Sequence, residues 1–213
     1  MIVTLDGERL EGAFAANETL RTLIERIRQA HLSDRLVVSV AVDGQPLLDQ
    51  QLGERLDSAL DGVERVELAS ADRRQLATDA LREVGKRLEG TGQQQAEIAE
   101  LLQAGDTPKA MERFAGFLKA WQACHEVIVD CSRLLGQDLT AVEYAGQPVR
   151  AHAVELADRL RELRDAFEAR DTVLLGDLIR YEMPEMCRTW GGIVDDLAAQ
   201  IDAAVGEART TAS

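Results

Sequence analysis

Aromatic side chains make up only 4% of this 213-residue chain, and proline appears four times. With Ala and aliphatic residues dominating, that shortage argues against an all-β architecture and favours helices. Cysteine appears three times, odd in number and widely spread, which does not make a disulfide framework. A reducing cytoplasm is the expected setting. No stretch of eighteen apolar residues occurs, so no membrane-spanning helix is expected. The opening Met-Ile-Val-Thr-Leu-Asp has neither a basic segment nor a long apolar run, and no secretory signal is expected there. Positive charge is scarce as well: 24 Lys and Arg stand against 38 Asp and Glu, a formal charge of −14. The deficit is spread out, with 7 basic and 13 acidic side chains over residues 1–70 and 17 against 25 beyond them. Without a basic run, the attraction that dominates nucleic-acid binding is missing. Anionic membrane surfaces are disfavoured for the same reason. The expected partners are therefore proteins, with no nucleic acid and no membrane.

What is present divides at about residue 70. The chain begins with the strand pattern MIVTL, the turn Asp6-Gly7 and a second run, RLEGAF. Asp-Gly between two such runs is a strong hairpin signal. In NETLRTLIERIRQAH, Leu20, Leu23, Ile24 and Ile27 share one helical face, and Asn17 or Thr19 can cap its start. LVVSVAV follows, ended by Asp43-Gly44, and VERVELA closes the segment near residue 69.

This β-β-α-β-β order over residues 1–69 resembles the ubiquitin-like β-grasp. Met1, Val3 and Leu5 alternate as the inward face of that fold's first strand does. Phe14 ends the second strand five residues before Thr19, which matches the helix-opening Thr of ubiquitin itself. Leu20, Leu23 and Ile27 fit the helix face, Val40 and Val42 the third strand, and Leu47 the position after the turn. Residues 50–63 need a small insertion. Members of that family that are conjugated end in a free Gly-Gly; here VELASADRR runs on into more chain. The segment has no lysine, the first being Lys86, and Ala41 stands where ubiquitin has an outward apolar residue. The resemblance therefore implies a non-conjugated interaction module, or a structural cap on a second domain.

From Ala71 the period becomes helical. Leu81, Val84, Leu88, Thr91, Gln95, Ile98 and Leu102 keep a 3-4 spacing across Gly90-Thr91-Gly92, predicting one helix over 71–103. Thr107-Pro108 starts the next, about 108–135, with Phe114, Trp121, Ile128 and Leu135 in one column and Phe117, Cys124 and Cys131 in another. Helices over about 149–169 and 172–206 follow, and the tail 207–213 is expected to fray. Short links at 104–107 and 169–172 imply antiparallel hairpins. The fold class predicted is α+β: an N-terminal ubiquitin-like β-grasp domain, 1–69, then an antiparallel four-helix bundle, 70–213. The repeated A-x-D-T at the two links, 65 residues apart, also raises an internal duplication.

AWQACHEVIVDC, residues 120–131, invites a metal or nucleophile reading. Cys124 and Cys131 are two helical turns apart, roughly 10.5 Å, too far for one metal or a disulfide. Zinc sites need about four ligands, and di-iron bundles need Glu-x-x-His repeats, which do not occur here. The cysteines therefore read as core, and His125 on their flank is the residue left over. Pro184 inside the last helix should bend it. That bend either wraps the bundle or opens a groove with Tyr181, Glu182 and Glu185 at its mouth. Tyr144, in the 136–149 connection, is a candidate binding-loop residue or a cover for the bundle end. The candidate partner-binding residues are thus Tyr181, Glu182, Glu185, Tyr144 and His125, with no catalytic, cofactor or metal site expected. The expected function is a non-enzymatic adaptor acting through protein contacts, homo-oligomers included. The alternative, by analogy of size, charge and shape, is a flagellar or type III-like export chaperone holding a partner segment. A bundle metalloprotein or enzyme is the third.

Overall fold

Alternating apolar residues and two Asp-Gly turns organise the first part of the chain. The computed structural model describes residues 1–12, 14 and 17–210, with residues 49 and 204–210 as backbone alone. The architecture is mixed α+β. The chain divides into two compact units, Met1–Leu76 and Ala77–Ser213.

In the first unit, β1 (Ile2–Leu5) and β2 (Glu8–Arg9) pair antiparallel across Asp6-Gly7. α1 (Leu20–His31) comes next, then β3 (Arg35–Val42) and β4 (Gln45–Pro46), which pair across Asp43-Gly44. α2 (Asp49–Leu56) leads to β5 (Arg65–Asp72). Both turns place two residues at positive φ, 52° and 86° in the first, 50° and 78° in the second. That backbone has the twist a two-residue hairpin requires. The sheet order is β2-β1-β5-β3-β4, with β1 and β5 parallel and the remaining pairs antiparallel.

Leu20, Leu23 and Ile27 of α1 bury themselves with Val3, Val40, Val66 and Leu68 from the sheet. The Thr19 hydroxyl accepts the Thr22 N–H at 3.3 Å and caps the helix, an arrangement worth about 1 kcal/mol. The turn aspartates do a second job. Asp43 Oδ1 accepts the N–H groups of Glu64 and Arg65 at 3.0 and 2.8 Å. Asp6 accepts both the N–H and the hydroxyl of Ser70, each at 2.6 Å. Each hairpin is thereby pinned to β5.

The second strand is shorter than the expected run to Phe14. Among the described residues of this run, Glu8 and Arg9 join the ladder, with the Leu10 N–H reaching the Val3 carbonyl at 2.9 Å. Glu11-Gly12 follow outside it, and a glycine offers a strand no side chain to pack. Phe14 still packs on the core, under the Arg26 guanidinium at 4.9 Å; Ala13 lies outside the described residues. α2 fills the region where an insertion was expected.

α3 (Arg73–Glu89) carries the chain into the second unit. α4 (Thr91–Gln103) and α5 (Thr107–Leu135) follow. After a short 3₁₀ turn, β6 (Glu143–Tyr144) and β7 (Gln147–Pro148) form a small hairpin, and α6 (Val149–Glu168) begins. α7 (Thr172–Asp177), a π turn over Leu178–Glu182 and α8 (Met183–Thr210) complete the unit. Residues 211–213 of the tail lie outside the described residues.

Two helices expected to be continuous are interrupted. The 71–103 helix breaks at Gly90, although the buried column from Leu81 to Leu102 keeps its phase across the break. There the Thr91 hydroxyl donates to the Leu88 carbonyl at 2.6 Å, a bond that competes with the helical ladder. In the last helix Pro184 has no N–H for the Arg180 carbonyl. The backbone answers with the π turn, closed by the Met183 N–H on the Leu178 carbonyl.

The seam expected on α5 is buried up to its last turn: Phe114, Trp121 and Ile128 in one column, Phe117, Cys124 and Cys131 in the other, with Leu135 only half-buried at the end. Trp121 meets Phe117 and Trp190 edge-on, each at 6.3 Å between ring centroids, a favoured aromatic geometry. The three-residue links are near copies of each other. Gly105 and Arg170 sit at φ 78° and 56°. Asp106 and Asp171 send their N–H groups to Leu101 and Ala166 at 2.9 Å and cap the next helix through Lys109 and Leu174. The A-x-D-T echo is accounted for by this shared turn geometry.

Candidate protein-binding groove

The Cys-His stretch belongs to packing. Burial pushes the Cys124 thiol up to about 12, helped by Cys187, and the Cys131 thiol up to about 11, helped by Asp130. Both stay protonated at neutral pH, where a nucleophile needs thiolate. Cys187 accepts the Gln95 amide at 3.0 Å and lies 3.2 Å from the Thr91 hydroxyl. Burial raises its thiol too, against the lowering effect of those two bonds. Thr91 and Gln95 thus occupy apolar-column positions because Cys187 faces them. Among the described residues no group of three His, Cys, Asp or Glu is arranged to hold a metal.

The five sequence candidates do not converge. Tyr181 and Glu182 ride on the π turn, with Tyr181 66% exposed. Glu182 reaches Arg159 on α6 at 3.3 Å, and Glu185 is exposed one residue past Pro184. None of the three lines the cavities that flank α5. Tyr144 is not presented outward as a binding-loop residue. Its hydroxyl lies where a Cβ on Gly192 would be, so the ring is seated directly on the α8 backbone. His152 holds it from behind, with Nε2 3.1 Å from the Tyr144 carbonyl and the two rings 5.9 Å apart. His125 is exposed on α5, two turns along from Leu118.

The opening lies elsewhere, between α5 and α6. Met111, Phe114, Ala115 and Leu118 face Leu160, Arg164 and Phe167 across a cavity of about 280 Å³. Met111 and Phe167 are shared with a second cavity of about 530 Å³, which Leu102, Ala166 and Leu175 floor and the link residues Arg170 and Asp171 rim. Leu118 is 38% and Phe167 47% exposed, on opposite walls of one apolar trough. A further, charged depression of about 590 Å³ between α4 and α5 holds Glu97, Glu100 and Glu112 with Lys109 and Arg113.

By spacing alone Phe167 falls on the apolar face of α6 and Leu118 on the flank of the α5 seam. Periodicity marks a residue as apolar-faced; it does not say whether a neighbouring helix closes over it. The one usable signal was Leu118 standing just off the seam.

Comparison with curated proteins and with solved structures gives no match. A family model described as Domain of unknown function (DUF8042) matches residues 79–192. That span is just over half of the chain and contains every residue of the trough and its end cavity. The chain belongs to the DUF8042 family.

Proposed function

We propose that this chain works by holding a protein partner, as a cytoplasmic adaptor and not as a catalyst. In this reading residues 1–69 are a non-conjugated ubiquitin-like β-grasp module and residues 70–213 an antiparallel four-helix bundle. The side-by-side parallel β1 and β5, with α1 packed on the sheet, support the first assignment. The two helical hairpins with near-identical links support the second.

The observation that carries the function is the open apolar trough between α5 and α6. Exposed large apolar side chains gathered around a concavity mark interaction sites far more than singly scattered ones do. The buried, protonated cysteines support the non-catalytic side of the reading. A second reading, an export chaperone, draws on the same trough; it differs in that the partner is captured as an unfolded segment.

The test is affinity capture from the native host with the wild-type chain and with a Leu118→Asp/Phe167→Asp variant. Both positions are exposed enough to accept a carboxylate without unfolding the unit. A partner retained by wild type and lost by the variant is the expected result. Capture that ignores the double substitution overturns the reading. Limited proteolysis of the captured partner then separates adaptor from chaperone, since a held segment is cut and a folded domain is not.

A further inference from the structure

The shape of the trough selects a helix as its occupant. Met111 and Leu118 stand seven residues apart on one wall, Leu160 and Phe167 seven apart on the other. Seven residues are two turns, roughly 10.5 Å. That length suits anchors at i, i+3 or i+4, and i+7 from one face of an incoming helix. The adjoining cavity of about 530 Å³ gives the end of such a helix a place for a large apolar side chain.

Charge then selects among helices. Residues 77–213 carry 15 basic and 24 acidic side chains. Arg164, in the trough wall, is already taken by Asp165 at 2.8 Å and Glu168 at 3.9 Å. Glu168 and Asp171 rim the end cavity beside one basic residue, Arg170, so the acidic excess is that of the unit as a whole. A second copy of this chain brings the same excess of acid and is repelled at long range, whereas a basic partner is drawn in.

We infer that the α5–α6 trough receives one amphipathic helix of a partner protein, apolar along one face and flanked by Lys or Arg. This rests on the interaction reading above and adds the partner's chemistry to it.

The experiment uses the full chain and two labelled peptides that share a Leu face at i, i+3, i+4 and i+7. One has Lys at the remaining positions, the other Glu. Binding is read by fluorescence anisotropy at moderate salt. The Lys peptide is expected to bind and the Glu peptide not to. Leu118→Asp and Phe167→Asp should each weaken the Lys peptide about tenfold or more. Both substitutions add negative charge, so a merely electrostatic association would strengthen, not weaken. Val154→Asp, at an apolar position 60% exposed outside the trough, should leave binding unchanged. Circular dichroism checks each variant's fold, with Phe167→Ser as a neutral replacement for Phe167→Asp.

Indifference of the Lys peptide to both trough substitutions overturns the inference. So does trough-dependent binding of the Glu peptide at equal or higher affinity, which leaves the interaction reading standing with the wrong charge. A dimer in sedimentation that Phe167→Asp dissolves overturns it in favour of a second copy. Failure of the broader reading is distinct: native capture would then ignore the trough variants altogether.

Discussion

The helical unit treats its two kinds of connection differently. Between α5 and α6 the chain has thirteen residues, enough to fold a 3₁₀ turn and the β6–β7 hairpin. That hairpin sends Tyr144 back onto Gly192, while Leu139 is buried beneath it. The links after α4 and α6 have three residues each, all spent on a left-handed turn and a helix cap. Nothing in a link that short can reach back to cover Met111 and Phe167. One connection supplies its own plug; the others leave apolar surface for something else to cover. Loop length, more than loop composition, decides which.

That contrast can be broken from either side. The largest effect is expected in the core itself. Trp121→Ala removes the ring joining Phe117 to Trp190 and should cost about 3–5 kcal/mol in denaturant unfolding. At the plugged connection, Gly192→Ala forces Tyr144 from its seat and should cost about 1–3 kcal/mol. Adding Tyr144→Ala to the same chain should cost much less than the sum of the single changes, because the collision is then gone. At the open trough, Phe167→Ala should change stability by less than about 0.5 kcal/mol while weakening partner capture. A stability loss as large as that of Gly192→Ala would mean the trough is closed in solution. In the opposite direction, Arg170→Gly relieves a side chain held at φ 56° and should stabilise by up to about 1 kcal/mol.

The thiols give the same comparison a pH axis. In the unfolded chain Cys124 and Cys131 ionise near 9.0; in the folded chain only near about 12 and about 11. The native state therefore holds these protons longer. Their contribution to stability is intact below pH 9 and declines as pH rises from there toward 11–12. Thiol labelling at pH 8 should be slow at both until the chain is unfolded. Rapid labelling of Cys124 in the native protein would contradict its burial.

Much of the framework was legible in the sequence, for identifiable reasons. Asp6-Gly7 and Asp43-Gly44 announced their hairpins because Asp and Gly tolerate positive φ. Ala145-Gly146 adopts the same conformation, at φ 50° and 82°, without that signal, and β6–β7 went unseen. The heptad columns of α5 predicted their burial from Phe114 to Cys131, though not at Leu135, which stays half-buried. Gly90 was hidden because its break preserves helical phase. The trough was hidden because an apolar residue facing a neighbour and one facing an absent neighbour have the same spacing. Of the five candidate residues, Tyr144 is seated on Gly192, and the other four lie on two exposed stretches, Tyr181 to Glu185 and His125.

The π turn has one further consequence. Leu175, Ile179 and Met183 are all buried, each four residues from the next. In an unbroken α-helix every four-residue step overshoots a full turn by about 40°, so three such residues would walk away from the core. The wider turn at Leu178–Glu182 absorbs that drift. It works as a gear between two otherwise mismatched stretches, setting the angle at which Trp190 arrives to meet Trp121. Removing one residue from the turn would leave every side chain's identity intact and point the whole of α8 in another direction.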